Sequence, residues 1–408
     1  MAIFVWLPNG ATVSCRHKGP LAMKRNLIRF TLIIVGILLA TTAALALWQP
    51  RTMQKVLHRF DTQGLRPQVV AEGLEVPWGF DFLPDGRIVV TERPGRMRLI
   101  EADGRVGSPL TGLPPVAAAG EGGLLDVVVD PKFVSQPWLY WSYAEPSAQA
   151  TGGAVTAVAR GRLVGQGLVD VTVIFRQSVA HERPLHFGSR LKFAPDGRLF
   201  VGLGDRWVRD EAQQLSSDIG KLMRLETDGG VPADNPFVGR SGALPLIWSY
   251  GHRNVQGLAF NPATGSLWAS EHGQQGGDEL NLIRPGANYG WPVISHGCEY
   301  QTCAPIGEGT AKLGMEQPLT WWGPASMPPT GMTFLTGDRY PQWRGQLIVG
   351  TLADQPLVRI EVRGDQVVSR EPMWLGSYRR VRDVKQGPDG WLYVAVERPK
   401  GALLRLER

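Results

Sequence analysis

A histidine and an aspartate flank one short stretch of the sequence, "HFGSRLKFAPDGRLFVGLGD", and together they could perform acid–base chemistry. His186 precedes an alternating apolar pattern, and Asp205 follows the second half of that pattern. A carboxylate beside an imidazole can hold the ring in one tautomer and stabilise its protonated form. Because an isolated histidine beside a hairpin is more often structural, the residues alone leave both interpretations open, a structural histidine and a general base.

Two further clusters carry cations that suit an anionic ligand. The motif "GHRNVQG" places Arg253 close to Asn254 and Gln256, a fixed cation beside amides that can bind an anion or a developing oxyanion. The motif "YRRVRDV" places Arg380 and Arg382 on one face of a strand, where they could clamp carboxylates. The alternatives are a polar surface turn for the first cluster and two solvated arginines for the second.

Oxygen ligands for a metal ion are concentrated in the stretch "EHGQQGGDELNLIRPGANYGWP". Its glycine-rich bend would expose the main-chain carbonyls of Gly273 and Gln274, and Asp278 and Glu279 follow. Carbonyl and carboxylate oxygens are the ligands that Ca²⁺ takes. The stretch lacks the Asp/Asn ladder of an EF-hand, so its spacing alone indicates calcium only weakly. Another glycine-rich stretch, "GEGGLLD", carries Glu121 at its tip.

The elements that must position these residues repeat along the chain. Six segments each contain a short strand, a turn built on Pro, Asp, Asn or Gly, and a second alternating strand. They begin at Gly79, Leu124, Arg190, Gly257, Gly331 and Val381. Repeated small antiparallel sheets predict an all-β fold, a six-bladed β-propeller over residues 65–408, with loops that converge on a central channel. A pair of β-sandwiches is the alternative, and a weak helical pattern over residues 210–225 predicts one short helix.

Composition agrees with many short strands and gives no indication of a nucleic-acid surface. The chain has 50 Gly and 31 Pro among 408 residues, which favours tight turns over long helices. Its net charge of +6 comes from the first 60 residues, which hold eight Lys/Arg and no Asp/Glu. The remainder has 35 basic and 37 acidic residues, so we expect no nucleic-acid partner.

The N-terminal residues 1–50 are interpreted as an export signal or a membrane anchor. A basic segment, "MKRNLIRF", precedes 19 uncharged residues at 30–48, and "ALA" is a candidate cleavage site. The run is also long enough to tether the protein to a membrane, and a buried core helix is a third interpretation. The true start could be Met23, and residues 51–64 would form a linker. Either export interpretation predicts a periplasmic or otherwise exported protein.

The cysteines fit an oxidising compartment. Cys15 precedes the apolar run, whereas Cys298 and Cys303 enclose "EYQT" at a spacing that a disulfide could close. Two free thiols are the alternative. Because no second metal-binding pair accompanies them, the two cysteines are not interpreted as a zinc site.

Taken together, the motifs resemble a known enzyme family. The stretches "GEGGLLD", "HFGSRLKFAPDG", "GHRNVQG", "EHGQQGGDELN", "NYGWP" and "RRVRDVKQGPDGWLYV" occur in the order typical of soluble aldose sugar dehydrogenases dependent on pyrroloquinoline quinone (PQQ), over about residues 65–406. The resemblance implies a six-bladed propeller with PQQ and calcium at the mouth of its channel. It implies oxidation of an aldose to a lactone by hydride transfer to the quinone, with electrons passed to an external quinone or cytochrome. A monomer or homodimer is expected.

The resemblance also implies a role for each candidate residue. His186 would be the general base that removes the proton of the anomeric hydroxyl, and Asp205 would be its carboxylate partner. Arg253 would contact the reactive oxygens of the quinone and stabilise charge there. The other residues implied to bind the cofactor are Glu121, Asn254, Gln256, Tyr300, Thr351, Ala353, Arg380 and Arg382.

Two calcium sites follow from the same resemblance. The main-chain carbonyls of Gly273 and Gln274 would hold the calcium that accompanies PQQ. Glu279 and Tyr289 would form a second, structural site.

The sequence departs from the family pattern at two positions. Ala353 stands where the family usually has a lysine, which removes one cation from the site of a tri-anionic cofactor. Glu121 stands where a glutamine is often found, which adds a negative charge. These departures support an alternative function, a PQQ-free propeller that binds carbohydrate or serves as a scaffold. A calcium-dependent lactonase on the same fold is a further alternative.

Overall fold

The structure is a computed structural model that describes residues 64–148 and 153–408. The predicted signal or anchor and nearly all of the predicted linker lie outside the described residues. Within the described ranges, no helix combines the length and the apolar character needed to cross a bilayer.

The described part of the chain consists of strands joined by turns and loops. In chain order the strands are β1 (Arg66–Leu74), β2 (Pro77–Phe82), β3 (Ile88–Glu92), β4 (Arg96–Ile100), β5 (Val106–Pro109), β6 (Leu124–Val129), β7 (Trp138–Pro146), β8 (Ala154–Val164), β9 (Gly167–Arg176), β10 (Gly188–Phe193), β11 (Leu199–Leu203), β12 (Lys221–Leu225), β13 (Ile247–Tyr250), β14 (Val255–Phe260), β15 (Leu267–Glu271), β16 (Asp278–Ile283), β17 (Thr320–Trp322), β18 (Pro329–Phe334), β19 (Leu347–Thr351), β20 (Leu357–Arg363), β21 (Gln366–Met373), β22 (Arg379–Gln386), β23 (Leu392–Arg398) and β24 (Gly401–Glu407). Two short 3₁₀ helices span Arg209–Gln213 and Pro341–Trp343.

These strands form six four-stranded antiparallel sheets, which confirms the predicted six-bladed propeller. Five blades are consecutive in sequence, β2–β5, β6–β9, β10–β13, β14–β17 and β18–β21. The sixth combines β22–β24 with β1, which pairs with β24 from Arg66↔Glu407 to Leu74↔Gly401. The first strands of the blades, β2, β6, β10, β14, β18 and β22, each contact the first strands of both neighbouring blades. They therefore line a closed central channel.

Apolar residues fill the spaces between neighbouring blades. One core cluster joins Tyr140 and Val158 of the second blade to Leu191, Val201 and Met223 of the third. Because each blade packs on two neighbours, its strands are buried on both faces, and all five residues of β11 are buried. This double burial explains why several strands are continuous apolar runs.

The recurrent "PDG" turn connects the first two strands of three blades. In the first blade the N–H of Gly86 donates to the carbonyl of Leu83 at 3.1 Å, and Gly86 has φ +89°. The carboxylate of Asp85 accepts the N–H of Arg87 at 3.1 Å. Only glycine adopts that φ without cost, so the turn residues are architectural.

The predicted helix at residues 210–225 is wrong over most of its length. Only the 3₁₀ helix Arg209–Gln213 forms, and β12 (Lys221–Leu225) occupies the end of the segment. The apolar residues of β12 are buried between two blades, and this burial, not a helical face, produces the apolar pattern.

One mouth of the channel collects the loops that matter for chemistry. We call this end of the channel the upper mouth. It is the end at which the first strand of each blade begins and the second strand finishes. Loops bring Glu121, His186 and Asn254 to it, and Arg382 lies there on β22.

Candidate active site

The strand pairing of the third blade brings His186 and Asp205 together. His186 lies two residues before β10 and Asp205 two residues after β11, and the pairing of Gly188 with Leu203 aligns these ends. The Nδ1 atom of His186 is 2.6 Å from Oδ1 of Asp205, and both side chains are buried. The two residues therefore form the pair expected of a general base and its carboxylate partner.

Three donors hold Asp205 in its ionised form. Besides the imidazole, the indole N–H of Trp291 donates to Oδ2 at 2.8 Å and the main-chain N–H of Trp207 donates to Oδ1 at 2.9 Å. Burial would raise the pKa of Asp205, but the hydrogen bond and charge of His186 and the charge of Arg253 outweigh it, so the pKa is lowered. An ionised carboxylate only accepts, so the imidazole proton sits on Nδ1 and Nε2 is left as the basic atom.

The backbone of His186 is held in an uncommon conformation by Glu121. His186 has φ +50°, and its N–H donates to Oε2 of Glu121 at 2.8 Å. A non-glycine residue in this region costs on the order of 1–3 kcal/mol and persists only where its surroundings enforce it. Glu121 comes from the glycine-rich loop of the neighbouring blade. Glu121 thus contacts the main chain of His186 and also lines the pocket that contains Arg380 and Arg382.

An open cleft of about 600 Å³ lies beside the basic histidine. Trp207 contacts the imidazole with ring centroids 5.0 Å apart, and it stacks on Tyr300 at 5.9 Å. Both aromatic side chains are exposed and face the cleft. Exposed parallel aromatic faces beside polar groups suit a ligand with both apolar and hydroxyl-bearing faces, such as a sugar.

Arg253 and Asn254 occupy the floor between the third and fourth blades. Arg253 donates to the carbonyl of His272 at 3.1 Å and to the hydroxyl of Tyr300 at 3.3 Å, and it lies 5.3 Å from the ring centroid of Trp291. Its Nε–H is buried and has no partner within the described ranges. A buried donor without an acceptor is costly, so Arg253 is ready for an anionic ligand.

The amide of Asn254 is oriented by its own neighbours. Its Oδ1 accepts from the N–H of Gly188 at 3.0 Å and from Nε2 of Gln256 at 3.2 Å. Because the oxygen is engaged, the NH₂ group remains to donate elsewhere. Gln256 also donates to the carbonyl of Gly188 at 3.3 Å, so it supports the floor of the site.

Arg380 and Arg382 lie on the same side of β22, as their spacing predicts. Both donate to Glu397 on β23, Arg380 at 2.8 Å and Arg382 at 2.8 and 3.0 Å. They line a pocket of about 130 Å³ at the upper mouth, together with Glu121, Asn254 and Gln256. Two cations that share one carboxylate leave the pocket with an excess of positive charge.

Two predicted cofactor contacts, Thr351 and Ala353, lie at the end of β19 and in the loop that follows it. Thr351 is buried, and its hydroxyl donates to the carbonyl of Gln355 and accepts the N–H of Ala353. Leu352, between them, lines the pocket and offers its carbonyl to Arg380 at 3.3 Å. The loop therefore closes one wall of the pocket through Leu352.

The candidate ligands of the first calcium site are main-chain oxygens. The carbonyl of Gln274 accepts the N–H of Cys298 at 2.9 Å, which leaves its second lone pair for a cation. The N–H of Gly273 donates to Asp278 at 3.0 Å, and Asp278 also accepts from Ser326 and Met327, so its carboxylate is engaged within the fold. No group of three or more His, Cys, Asp or Glu side chains able to hold a metal occurs in residues 64–148 and 153–408.

The second candidate calcium site contains two neighbouring carboxylates. Asn281 donates to Glu271 at 2.8 Å and to Glu279 at 3.1 Å, and both carboxylates line a cavity of about 20 Å³ with Tyr289. Burial and the charge of Glu271 raise the pKa of Glu279 to about 8. The hydroxyl of Tyr289 is engaged with Leu282 and Arg284, so only its main chain could serve a cation. Two carboxyl groups beside a small cavity, one of them with a raised pKa, fit a cation site, because a bound cation would favour the ionised form of Glu279.

The predicted cysteine pair is joined in a disulfide. Cys298 and Cys303 enclose Glu299 and Tyr300, so the bond closes the loop that carries the aromatic ring stacked on Trp207.

Comparison with known proteins identifies the family. Residues 74–405 match the family model described as Glucose / Sorbosone dehydrogenase. The chain belongs to the glucose/sorbosone dehydrogenase family. It is accordingly an oxidoreductase of the sugar dehydrogenase type that acts on CH–OH groups.

Relatives with known structures or names support the same assignment. The chain is 41% identical to aldose sugar dehydrogenase YliI of Escherichia coli strain K12, over 83% of this chain and 92% of that protein. A crystal structure of a glucose dehydrogenase is 44% identical with a TM-score of 0.80, covering 83% of this chain and 98% of that chain. The PQQ-bound aldose sugar dehydrogenase of Streptomyces coelicolor is 29% identical with a TM-score of 0.67, covering 84% and 98%.

Sequence reasoning missed several residues of this glucose/sorbosone dehydrogenase site. Arg93 and His272 line the same pocket as Arg382. Each directly follows the second strand of its blade, so an alignment of the six blade repeats would have revealed them. Burial lowers the pKa of His272 to about 4, and its Nε2 lies 2.9 Å from the carbonyl of Pro329. His272 is therefore a neutral wall of the pocket.

Proposed function

We propose that this protein oxidises aldose sugars at C1 to lactones, with PQQ and Ca²⁺ as cofactors. The observation that carries the proposal is the His186–Asp205 pair, which opens onto a cleft beside an arginine-lined pocket. A base with a fixed tautomer removes a proton, and an adjacent cationic pocket holds an anionic redox group. Neither feature alone identifies a sugar dehydrogenase. Membership of the glucose/sorbosone dehydrogenase family is what supports this particular reaction.

The donor set of the upper mouth fits PQQ, a planar quinone with three carboxylates. Arg380 and Arg382 would bind carboxylates, and the unpartnered Nε–H of Arg253 and the NH₂ of Asn254 would donate to quinone oxygens. The carbonyls of Gly273 and Gln274 would contribute to the calcium that accompanies the cofactor. When bound, PQQ accepts the hydride of the sugar C1–H bond.

The chain's own residues perform the proton chemistry. Nε2 of His186 takes the proton of the C1 hydroxyl as the hydride leaves C1, so the C1–OH group becomes a carbonyl. Asp205 stabilises the resulting imidazolium by its ionised carboxylate. Arg253 stabilises negative charge that develops on the acceptor. Trp207 and Tyr300 form walls of the cleft beside His186.

Reconstitution tests the proposal directly. Purified protein with PQQ and Ca²⁺ should reduce an artificial electron acceptor when aldoses are added, and lactone should accumulate in equal amount. Absence of a bound chromophore at micromolar PQQ would favour a PQQ-free carbohydrate-binding propeller. Lactone hydrolysis by the PQQ-free protein with Ca²⁺ would favour the lactonase.

The cellular setting is part of the proposal. The basic and apolar pattern of residues 1–50 supports export to the periplasm, with a tether through residues 30–48 if the segment is retained. The electron acceptor would then be an external quinone or cytochrome, and the protein a monomer or homodimer. Fractionation of cells that express the full chain, followed by N-terminal sequencing, tests location and cleavage together.

A further inference from the structure

The pocket at the upper mouth contains a third arginine that was not expected from the sequence. Arg93 follows β3 of the first blade and lines the pocket of about 130 Å³ together with Arg380 and Arg382 of the neighbouring sixth blade. Burial is the largest cause that lowers the pKa of Arg382, and the charges of Arg380 and Arg93 add to it. Three guanidinium groups thus converge on one small volume.

The three arginines differ in how their charge is balanced. Arg380 and Arg382 both donate to Glu397, so their hydrogen bonds are partly satisfied within the protein. The guanidinium of Arg93 has neither a carboxylate nor another hydrogen-bond acceptor among residues 64–148 and 153–408. Arg93 is therefore the cation of the pocket whose donors are all available to a ligand.

The main chain of Arg93 is fixed although its guanidinium has no partner. Its N–H donates to Val76 at 3.1 Å, and its carbonyl accepts the N–H of Leu124 at 3.0 Å. A Cβ at Gly123 would lie 2.1 Å from that carbonyl and 2.5 Å from Cγ of Arg93, so the glycine-rich loop approaches as closely as it does because residue 123 lacks a side chain. This packing restricts Arg93 before a ligand arrives. Little conformational entropy of Arg93 is therefore lost on binding.

We propose that Arg93 binds a carboxylate of the cofactor and supplies the cation that Ala353 does not. The inference rests on the proposed function, since it takes PQQ as the anionic ligand. It assigns the glycine-rich loop two tasks, to hold His186 through Glu121 and to position Arg93 through Gly123. Arg93 is a binding residue and takes no part in proton transfer.

Isothermal titration of the purified protein with PQQ and Ca²⁺, without sugar, tests the inference. Arg93→Gln should raise the Kd for PQQ about ten- to hundredfold, the loss expected for one charge-assisted hydrogen-bond pair. Arg93→Lys should recover part of this loss, and Arg93→Gln should reduce the salt dependence of the Kd. Since the guanidinium has no internal partner, the melting temperature of the PQQ-free variants should not change.

Arg96→Gln is the matched control. Arg96 lies three residues away in the same hairpin, but it donates to Glu92 at 2.8 Å and to Glu75 at 2.7 Å and does not line the pocket. Its Kd should stay within about twofold of the wild type. Wild-type binding together with an unchanged Kd for Arg93→Gln would overturn the inference and leave the proposed function intact. Failure of the wild type itself to bind PQQ would overturn the proposed function.

Discussion

At the scale of single residues, the site is defined by which hydrogen bonds are already made. Asp205 uses both of its oxygens on His186, Trp207 and Trp291, so it can only orient the imidazole. Arg253 retains one buried donor without a partner, which makes it a binding group. The role of each residue thus depends on which of its hydrogen-bonding atoms the surroundings leave unsatisfied.

Substitution of His186, the proposed general base, or of its carboxylate partner Asp205 should reduce turnover more than cofactor binding. His186→Ala should lower kcat about 10²–10⁴-fold, because general base catalysis contributes about this much. Asp205→Asn should lower kcat over a similar range, because an amide no longer enforces the Nδ1–H tautomer. Steady-state kinetics with saturating PQQ and Ca²⁺ measures both.

Asp170→Asn is a suitable control for the Asp205 substitution. Asp170 is an exposed carboxylate paired with Arg162 on the outer part of the second blade. Its removal should leave kcat unchanged.

If His186→Ala retained the wild-type kcat, the assignment of the base would be wrong.

The carboxylate of Glu279 predicts a pH-dependent response to calcium. In the calcium-free protein its pKa is raised to about 8, whereas an unfolded chain has an ordinary carboxyl pKa. Between these values the folded state binds more protons than the unfolded chain, so stability falls as pH rises. A bound cation favours the ionised carboxylate and offsets this loss. Addition of Ca²⁺ should therefore raise the melting temperature more at about pH 8.5 than at about pH 6.

Glu279→Gln provides the control for this response. The amide cannot ionise, so both the fall in stability with pH and the calcium effect should diminish. An equal calcium-induced shift at both pH values in the wild type would contradict the assignment of this cation site.

At the scale of elements, two loops of the fourth blade hold each other in place. The loop closed by Cys298 and Cys303 carries Tyr300, and the N–H of Cys298 donates to the carbonyl of Gln274. A candidate calcium ligand and a candidate cofactor contact are thereby coupled through one short loop. The precision of the site depends on such contacts between loops.

Removal of the disulfide should loosen the cofactor site. A variant with Cys298→Ser and Cys303→Ser should bind PQQ about two- to tenfold more weakly, because Tyr300 must be immobilised on binding. Titration with PQQ in the presence of Ca²⁺ measures the effect. A thiol reductant should weaken binding by the wild type and leave the variant unchanged. An equal response of both proteins would show that the reductant acts elsewhere.

Sequence reasoning was most successful where two partners lie close along the chain. His186 and Asp205 flank one hairpin, and Arg380 and Arg382 share one strand, so strand geometry alone brings each pair together. Arg93 was missed because its role depends on which loops of separate blades face the same pocket. Which loops face the same pocket is decided by how the blades pack on one another, and no local sequence pattern contains that information.

Local pattern was misleading over residues 210–225. The segment 210–225 combines a 3₁₀ helix with a buried strand, whose apolar residues imitate a helical face. Thr351 was expected to contact the cofactor, but its hydroxyl is used within the loop, a choice that depends on the backbone of Gln355. The contact of Thr351 with the cofactor stays a prediction, and the structure adds that Leu352 of the same segment lines the pocket.

At the scale of the whole molecule, one buried cation links four blades at the centre of the propeller. Arg190 on β10 contacts Asp126 at 3.1 Å and Asp383 at 3.0 Å, and it donates to the carbonyls of Gln256 and Arg382 at 2.7 and 3.1 Å. These partners belong to β6, β22 and β14. Ion pairs and hydrogen bonds of one arginine thus connect the strands that line the channel.

Loss of this central cation should destabilise the entire ring. Arg190→Leu would leave Asp126 and Asp383 buried without their arginine, and breaking a buried ion pair in this way costs about 3–5 kcal/mol. Chemical denaturation should show a lower midpoint for one cooperative transition. Arg162→Ala, which removes an exposed ion pair with Asp170, should change the free energy of unfolding by less than about 1 kcal/mol. Similar effects of the two substitutions would refute the proposed role of Arg190.

The sixth blade is the last to be completed when the chain is synthesised from its N-terminus, because it combines β1 with β22–β24. The strand β1 is the first described strand to emerge, yet its partner β24 consists of residues 401–407, nearly the last of the chain. The hydrogen-bonding edge of β1 must therefore wait, unpaired, while five complete blades are synthesised or translocated after it. During that interval residues 66–74 could pair with the wrong strand. The length of this period is set by the time needed to deliver the C-terminal strand β24.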